Sequence, residues 1–357
     1  MKDKIFSILF VLYLSLIFIF NLLTPDNKIS TSERRKLEQI PKLTKTTILN
    51  KKFMEDLDTY VADQFILREK FRQIKSKTNY NIFQKLDNNK IYLYKDQIFK
   101  SDYPTNKKSI DTFIKKINNI KNYLTPNNKT YYSIIPDKNF YLDNNKYLNI
   151  DYDYLYNEIK KINYEYIELR DILTLEDYYK TDIHWKQENL CKVVERLGSK
   201  FEFTHSCNYT EKTYDYFYGT YYGQSALNLK PETLTYLIDE SINNSEVYYL
   251  EDHKTNKVYV EEKLTNLDSY DIFLSGPSAY IEITNKNSER DKELVIFRDS
   301  FSSSLAPLLI SYYKKITLID TRYINSENYL QRINFNNQDV LFLYSTLIVN
   351  NSYILKD

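Results

Sequence analysis

The chain has 357 residues, enough for one large domain with an anchor and a stalk. Its 49 Lys and Arg against 48 Asp and Glu leave a net charge of +1, so no global field selects nucleic acid or an anionic surface. Only two cysteines and four glycines occur, with no C-x-x-C pair, no ligand spacing of metal type and no phosphate-cradling loop, which argues against metal and nucleotide enzymes.

Residues 1–4 read as a cytoplasmic tail and residues 5–23 as a transmembrane anchor, interrupted only by Ser7, Ser15 and Asn21. Thr24-Pro25-Asp26-Asn27 follows directly and offers no small-x-small cleavage site, so an uncleaved anchor is expected. Lys2 and Lys4 on one side face Lys28, Arg34, Arg35 and Lys36 on the other, and charge alone sets no direction. Short N-terminal anchors of this form leave the following domain outside the membrane. Residues 24–89 carry helical periodicity at Phe53, Leu57, Tyr60, Val61, Phe71 and Ile74, which predicts a helical stalk or a cap packed on the main domain.

From residue 90 to 357 strands and helices alternate. The pattern predicts a helix over 112–123, a strand over 131–136 ending at Pro136, and a helix over 190–197 capped by Gly198. Short apolar strands at 294–297, 316–319 and 340–344, with helix-sized spacers, predict a mostly parallel sheet in an α/β fold. Between about 201 and 290 the pattern weakens into an insertion, with small antiparallel strands at 234–238 and 258–260. Cys191 in a predicted helix and Cys207 in a polar loop leave a bridge and two free thiols both open. The 36 tyrosines suit carbohydrate surfaces, although an A/T-rich genome produces the same Tyr, Asn, Ile and Lys bias and is the plainer cause.

Two segments carry chemistry. Thr181-Asp182-Ile183-His184-Trp185 puts a carboxylate two residues before an imidazole; in an extended stretch both would face one site while Ile183 points inward. A carboxylate there fixes the tautomer and stabilises the imidazolium. Of the other histidines, His205 and His253 lie in polar stretches that read as solvated loops. Phe297-Arg298-Asp299-Ser300-Phe301 puts a serine directly after an apolar strand, at the carboxyl end of a sheet and before a predicted helix whose N–H groups can hold an oxyanion. Ser302, Ser303 and Ser304 compete for that role, and Asp-Ser before a helix is also an ordinary cap. Asp182 and His184 could pair on a metal, but no third ligand is visible.

Together these segments resemble the DHHW-motif family, related to alginate O-acetylation proteins that carry an SGNH-hydrolase-like domain. The D-H-H-W pattern is Asp182-Ile183-His184-Trp185 with isoleucine in place of the first histidine. The D-S-[FY] pattern is Asp299-Ser300-Phe301, with Arg298 where ordinary SGNH enzymes have glycine. Glu33-Arg34-Arg35-Lys36-Leu37 with Pro41 is similar to the family's E-[NR]-R-x-L…P, Asp63-Gln64-Phe65-Ile66-Leu67-Arg68 to D-Q-F-P-x-R, and Tyr218-Gly219-Thr220 to F-Y-G-[ST]. Ser275-Gly276-Pro277 stands where members show G-G-N, without the asparagine.

The resemblance implies a three-layer α/β/α SGNH-like fold in circularly permuted order, with Asp and His ahead of Ser. It implies Ser300 as nucleophile, His184 as base and Asp182 as its orienting partner. The oxyanion donors would be the N–H groups of Ser300 and Gly219, with Trp185, Tyr218, Tyr221, Tyr222 and Arg298 meeting substrate. No cofactor or metal is implied. The function so read is O-acetyl transfer to a cell-surface polysaccharide, supplied by a membrane-bound O-acyltransferase partner. An acetyl-polysaccharide esterase would use the same residues, and a catalytically silent wall-polysaccharide-binding protein is the reading from another class.

Overall fold

The structure, a computed structural model, describes residues 2–142, 146–251, 254–288 and 290–357; His253 lies outside them. Contacts divide the chain into two compact units, Met1–Asn88 with Tyr222–Leu229, and Asn89–Tyr221 with Lys230–Asp357.

The first unit begins with helix α1 (Lys2–Leu23), long and apolar enough to cross a membrane, with a mean hydropathy of 2.6. Helices α2 (Lys52–Gln64) and α3 (Arg68–Lys77) follow. The apolar positions that carry the helical periodicity are not packed away within this unit: Val61, Phe71 and Ile74 are exposed, and Phe53, Leu57 and Tyr60 are only half-buried. Charge pairing holds the inner face instead. Arg35 forks onto Asp63 (2.8 and 2.5 Å), Arg68 meets Glu33 at 2.5 Å, and Arg72 meets Glu33 at 3.1 Å. The Glu33–Leu37 and Asp63–Arg68 motifs are therefore one another's partners. The Arg35 hydrogen bond holds the Asp63 carboxyl below the usual carboxylate range, against the opposing pull of burial.

In the second unit the strands are β1 (Ile91–Tyr94), β2 (Gln97–Lys100), β3 (Thr130–Ile135), β4 (Glu165–Tyr166), β5 (Thr210–Phe217), β6 (Glu232–Ile238), β7 (Glu246–Tyr249), β8 (Lys254–Asn256), β9 (Tyr280–Thr284), β10 (Glu293–Arg298), β11 (Lys315–Ile319) and β12 (Asp339–Ser345). One eight-stranded sheet runs β8-β7-β9-β11-β10-β12-β3-β4, while β1-β2 and β5-β6 form separate hairpins. The pairings β11–β10, β10–β12, β12–β3 and β3–β4 are parallel; β9 pairs antiparallel to β11 and β7, and β8 to β7. The stretch expected as an insertion thus adds three strands to the main sheet. Residues 258–260 form no strand, Tyr259 making only a single bridge to Phe273.

Alternation along each central strand feeds two apolar layers, as expected for a sheet covered on both faces. Leu294 and Ile296 of β10 and Leu341 and Leu343 of β12 pack with Val193, Val194 and Leu197 of helix α6 (Cys191–Phe201). Val295, Phe297, Val340 and Phe342 pack on the other side with Ile110, Phe113 and Ile117 of α4 (Lys107–Ile120) and Leu155 of α5 (Tyr152–Glu158). Helix α6 runs through Gly198 rather than stopping there, and Glu202 supplies the left-handed cap. Gly198 is needed for closeness: an added Cβ would come 2.5 Å from the Phe203 carbonyl oxygen.

Cys191 and Cys207 are joined, closing a loop with a sequence separation of 16. A loop of this size restrains the unfolded chain by about 3 kcal/mol. The Cys191→Ser/Cys207→Ser variant should accordingly lose about 2–4 kcal/mol in equilibrium urea unfolding of the purified chain. An unchanged midpoint would contradict that role.

Candidate active site

The parallel strands deliver their carboxyl ends to one edge of the sheet, where chain order reverses around β10: β11 lies on one side and β12 returns on the other. Such edges are where open α/β sheets place ligands. Immediately past β10, Asp299 fixes the turn. One carboxylate oxygen accepts the Phe301 N–H (3.0 Å) and the other the Ser345 N–H at the end of β12 (2.7 Å). Ser300 is thereby left half-buried, while Ser302, Ser303 and Ser304 are buried in the short helix α7 (Ser302–Leu305). At Ala306 the helix tightens into a 3₁₀ segment, with Pro307 in its first turn. Among the described residues the Ser300 N–H has no acceptor.

The Asp-x-His segment is a bent loop rather than an extended stretch. The Asp182 carboxylate accepts the backbone N–H of His184 at 2.9 Å, a side-chain-closed turn that brings the two residues to one side. Ile183 still packs on the core. The His184 ring reaches Asp182 through Nδ1 at 2.6 Å and Ser300 Oγ through Nε2 at 2.8 Å. With Nδ1–H donating to the carboxylate, Nε2 is left to accept the serine proton. The second Asp182 oxygen accepts the Thr220 N–H at 2.6 Å. Burial alone would raise the Asp182 carboxyl; the His184 charge and these hydrogen bonds outweigh it and hold the group well below the usual carboxylate range.

Several supporting residues carried no signal in the sequence reading. Tyr270 stacks on the His184 ring, with centroids 3.9 Å apart and planes 7° from parallel, and its hydroxyl donates to Ser304 Oγ (2.9 Å). Glu232, opening β6, accepts the N–H groups of Lys180 and Thr181 (2.6 and 2.7 Å). Lys138, three residues past β3, is buried and donates to the carbonyls of Tyr179 and Lys180 (3.0 and 3.2 Å), between the rings of Phe99 and Tyr221. Burial pushes its ammonium down to about 7, against the pull of Glu232, Asp182 and Asp137. Its one clue was position, a charged residue just beyond Pro136 at the carboxyl end of a predicted strand.

Four expected roles change. The Gly219 N–H already donates to Thr181 Oγ1 (2.9 Å), so it is not a second oxyanion donor; an added Cβ would lie 2.4 Å from Asp182, and the glycine is there to let two backbones touch. Trp185 is fully buried, its indole N–H shared between the Phe301 carbonyl and Ser304 Oγ, and offers no face to a sugar. Tyr221 is buried beneath Lys138. Arg298 is buried as well, donating to Ser303 Oγ (2.6 Å) and the Ser278 carbonyl (3.4 Å). Tyr218 and Tyr222 are both half-buried, and Tyr222 belongs to the first unit. His205, read as solvated, is half-buried and shares a hydrogen bond with Tyr312 (2.9 Å). It lies within 4.8 Å of the Cys191 and Cys207 sulfurs, but these are bonded to each other.

No protein-family model matches the chain, and no curated protein matches it by sequence. The fold is similar to that of a DHHW family protein. That protein, from Eubacterium siraeum, superposes with a TM-score of 0.64 at 18% identity, over 76% of this chain and 97% of its own. Bacillus cereus PatB1 with a sulfonyl adduct gives 0.57 at 19% identity, over 75% of this chain and 100% of its own. A second PatB1 structure gives 0.56 at 18%, over 76% and 98%. The O-acetyltransferase domain of Pseudomonas putida AlgJ is more distant, at 0.41 and 11%, over 73% and 92%. The likeness to the DHHW protein agrees with the resemblance carried by the motifs.

Two outcomes follow from the packing. Gly219→Ala should push the Thr181–Asp182 backbone away, with loss of stability of roughly 1–3 kcal/mol, seen as a lower urea midpoint. Lys138 has the opposite sign to a salt-bridged lysine. Its folded value of about 7 lies below the ordinary 10.5, so the unfolded chain binds more protons between them. Its contribution to stability therefore rises with pH across that window. Lys138→Met should remove this slope when urea midpoints are compared across the same pH range, and parallel curves for the two proteins would contradict it.

Proposed function

We propose that this chain is an SGNH-type enzyme with permuted motif order, anchored by α1, that transfers acetyl groups to hydroxyls of a cell-surface polysaccharide outside the membrane. The observation that carries the reading is the unbroken relay from Asp182 through His184 to Ser300, with contacts of 2.6 and 2.8 Å. Oxygen nucleophiles need an adjacent base at neutral pH, and that base needs an orienting partner.

In this reading Ser300 Oγ attacks the acetyl carbonyl carbon as its proton passes to His184 Nε2. The oxygen of the tetrahedral intermediate gains negative charge and meets the Ser300 N–H. As the intermediate collapses, the donor oxygen leaves with the proton from His184 and the acetyl group stays on Ser300. An acceptor hydroxyl then gives its proton to His184 and attacks the acyl-enzyme, and the serine regains its proton when the product ester departs. Asp182 stabilises the imidazolium in both half-reactions. Tyr218 is the tyrosine we assign to the sugar. The acetyl supply is assigned to a membrane-bound O-acyltransferase partner.

With a fluorogenic acetyl ester as donor, Ser300→Ala and His184→Ala should each lower kcat by on the order of 10³-fold or more, and the double variant should be no worse than either single one. A sulfonyl fluoride, suggested by the PatB1 adduct, should label Ser300, read by peptide mass spectrometry, and spare the His184→Ala variant. Full ester turnover in Ser300→Ala would sink the nucleophile assignment. Product distribution with an added glycan acceptor separates transfer from hydrolysis: acetyl glycan supports the transferase, and acetate alone makes the chain an esterase.

A further inference from the structure

We infer that the first unit lies on the lipid surface beside its anchor, with the apolar face of α3 set into an anionic headgroup layer; this rests on α1 spanning a bilayer. Helix α3 is built inside out. Arg68, Arg72 and Ser76, spaced i, i+4 and i+8, share the inner face. There Arg72 donates to the Gly223 carbonyl (2.8 Å) and Ser76 to the Ser225 carbonyl (2.7 Å), beside the Glu33 pairs already described. The outward face carries Leu67, Phe71 and Ile74 at i, i+4 and i+7, exposed to 64%, 50% and 59%. Leu67 is held at φ 58, a left-handed conformation that a leucine adopts only under constraint, so its outward direction is imposed by the fold.

The anchor itself says what covers this face. Asn21, in the last turn of α1, accepts the Ile66 N–H at 2.9 Å, and Gln64 bonds Asn27 in both directions at 2.9 Å. These contacts tie the start of α3 to the end of the apolar stretch. Residues 5–23 span roughly 28 Å at helical rise, close to the ~30 Å of a hydrocarbon core, so that end lies at the headgroup boundary. Lys70, Lys75 and Lys77 are exposed beside the stripe. Their stems can cover apolar surface while the ammonium groups meet lipid phosphates. The tether keeps the bilayer permanently within reach, whereas a second copy would bring three like charges against its own.

The test labels single cysteines with an environment-sensitive fluorophore in the full chain, reconstituted in phosphatidylcholine–phosphatidylglycerol vesicles that carry a shallow spin-labelled lipid. Phe71→Cys and Ile74→Cys probe the face and Leu14→Cys the anchor. Phe71 and Ile74 should lose most of their emission to the lipid quencher and shift to the blue. Quenching at Leu14 without quenching at Phe71 or Ile74 overturns this inference and leaves the anchor standing. No quenching at Leu14 overturns the anchor and the inference together. Shielding from aqueous iodide that grows with the protein-to-lipid ratio assigns the face to a second copy and also overturns it.

Discussion

A carboxylate shut away from water must find its donors within the protein, and Asp182 finds three: the His184 ring, the His184 backbone and the Thr220 backbone. Because two of these come from one residue, satisfying the charge also fixes the imidazole. The ring can then present only Nε2 outward, where Ser300 meets it. Much of the surrounding structure exists to keep that carboxylate in place. Gly219 lets the loop after β5 touch it, Glu232 holds the two residues before it, and Lys138 holds the carbonyls one step earlier.

The serine side is organised by the same means. Asp299 spends both oxygens on backbone N–H groups, one in its own turn and one at the end of the neighbouring strand. Ser300 is therefore registered against the sheet rather than against its short helix. The indole N–H of Trp185 then bonds the Phe301 carbonyl at 3.0 Å, joining the histidine loop directly to the serine turn. Two segments 116 residues apart are thus joined by contacts besides the relay itself.

What the sequence made readable was what depends on residue type and short spacing. The apolar runs of β10, β11 and β12 identify themselves because a strand buried on both faces leaves no room for alternation, and Asp182, His184 and Ser300 are chemically distinctive in their settings. The approach of Gly219 to Asp182 and the burial of Arg298 and Trp185 come from tertiary packing, which local pattern does not encode. A tryptophan beside a catalytic-looking histidine suggests a sugar platform just as well as a wedge. Lys138 and Glu232 were missed for the same reason: their partners lie about 40 to 50 residues away. In α3 periodicity revealed an apolar stripe but not its direction, because a helix pattern is silent on which face the charges of Glu33 and Asp63 will claim.

The most direct test is nitrogen-15 NMR of histidine-labelled protein, which has only three histidines to assign. The account predicts that the neutral His184 ring carries its proton on Nδ1, giving a far-downfield, exchange-protected resonance that disappears in Asp182→Ala. A ring protonated on Nε2, or an Nδ1 proton exchanging freely with water, would contradict it.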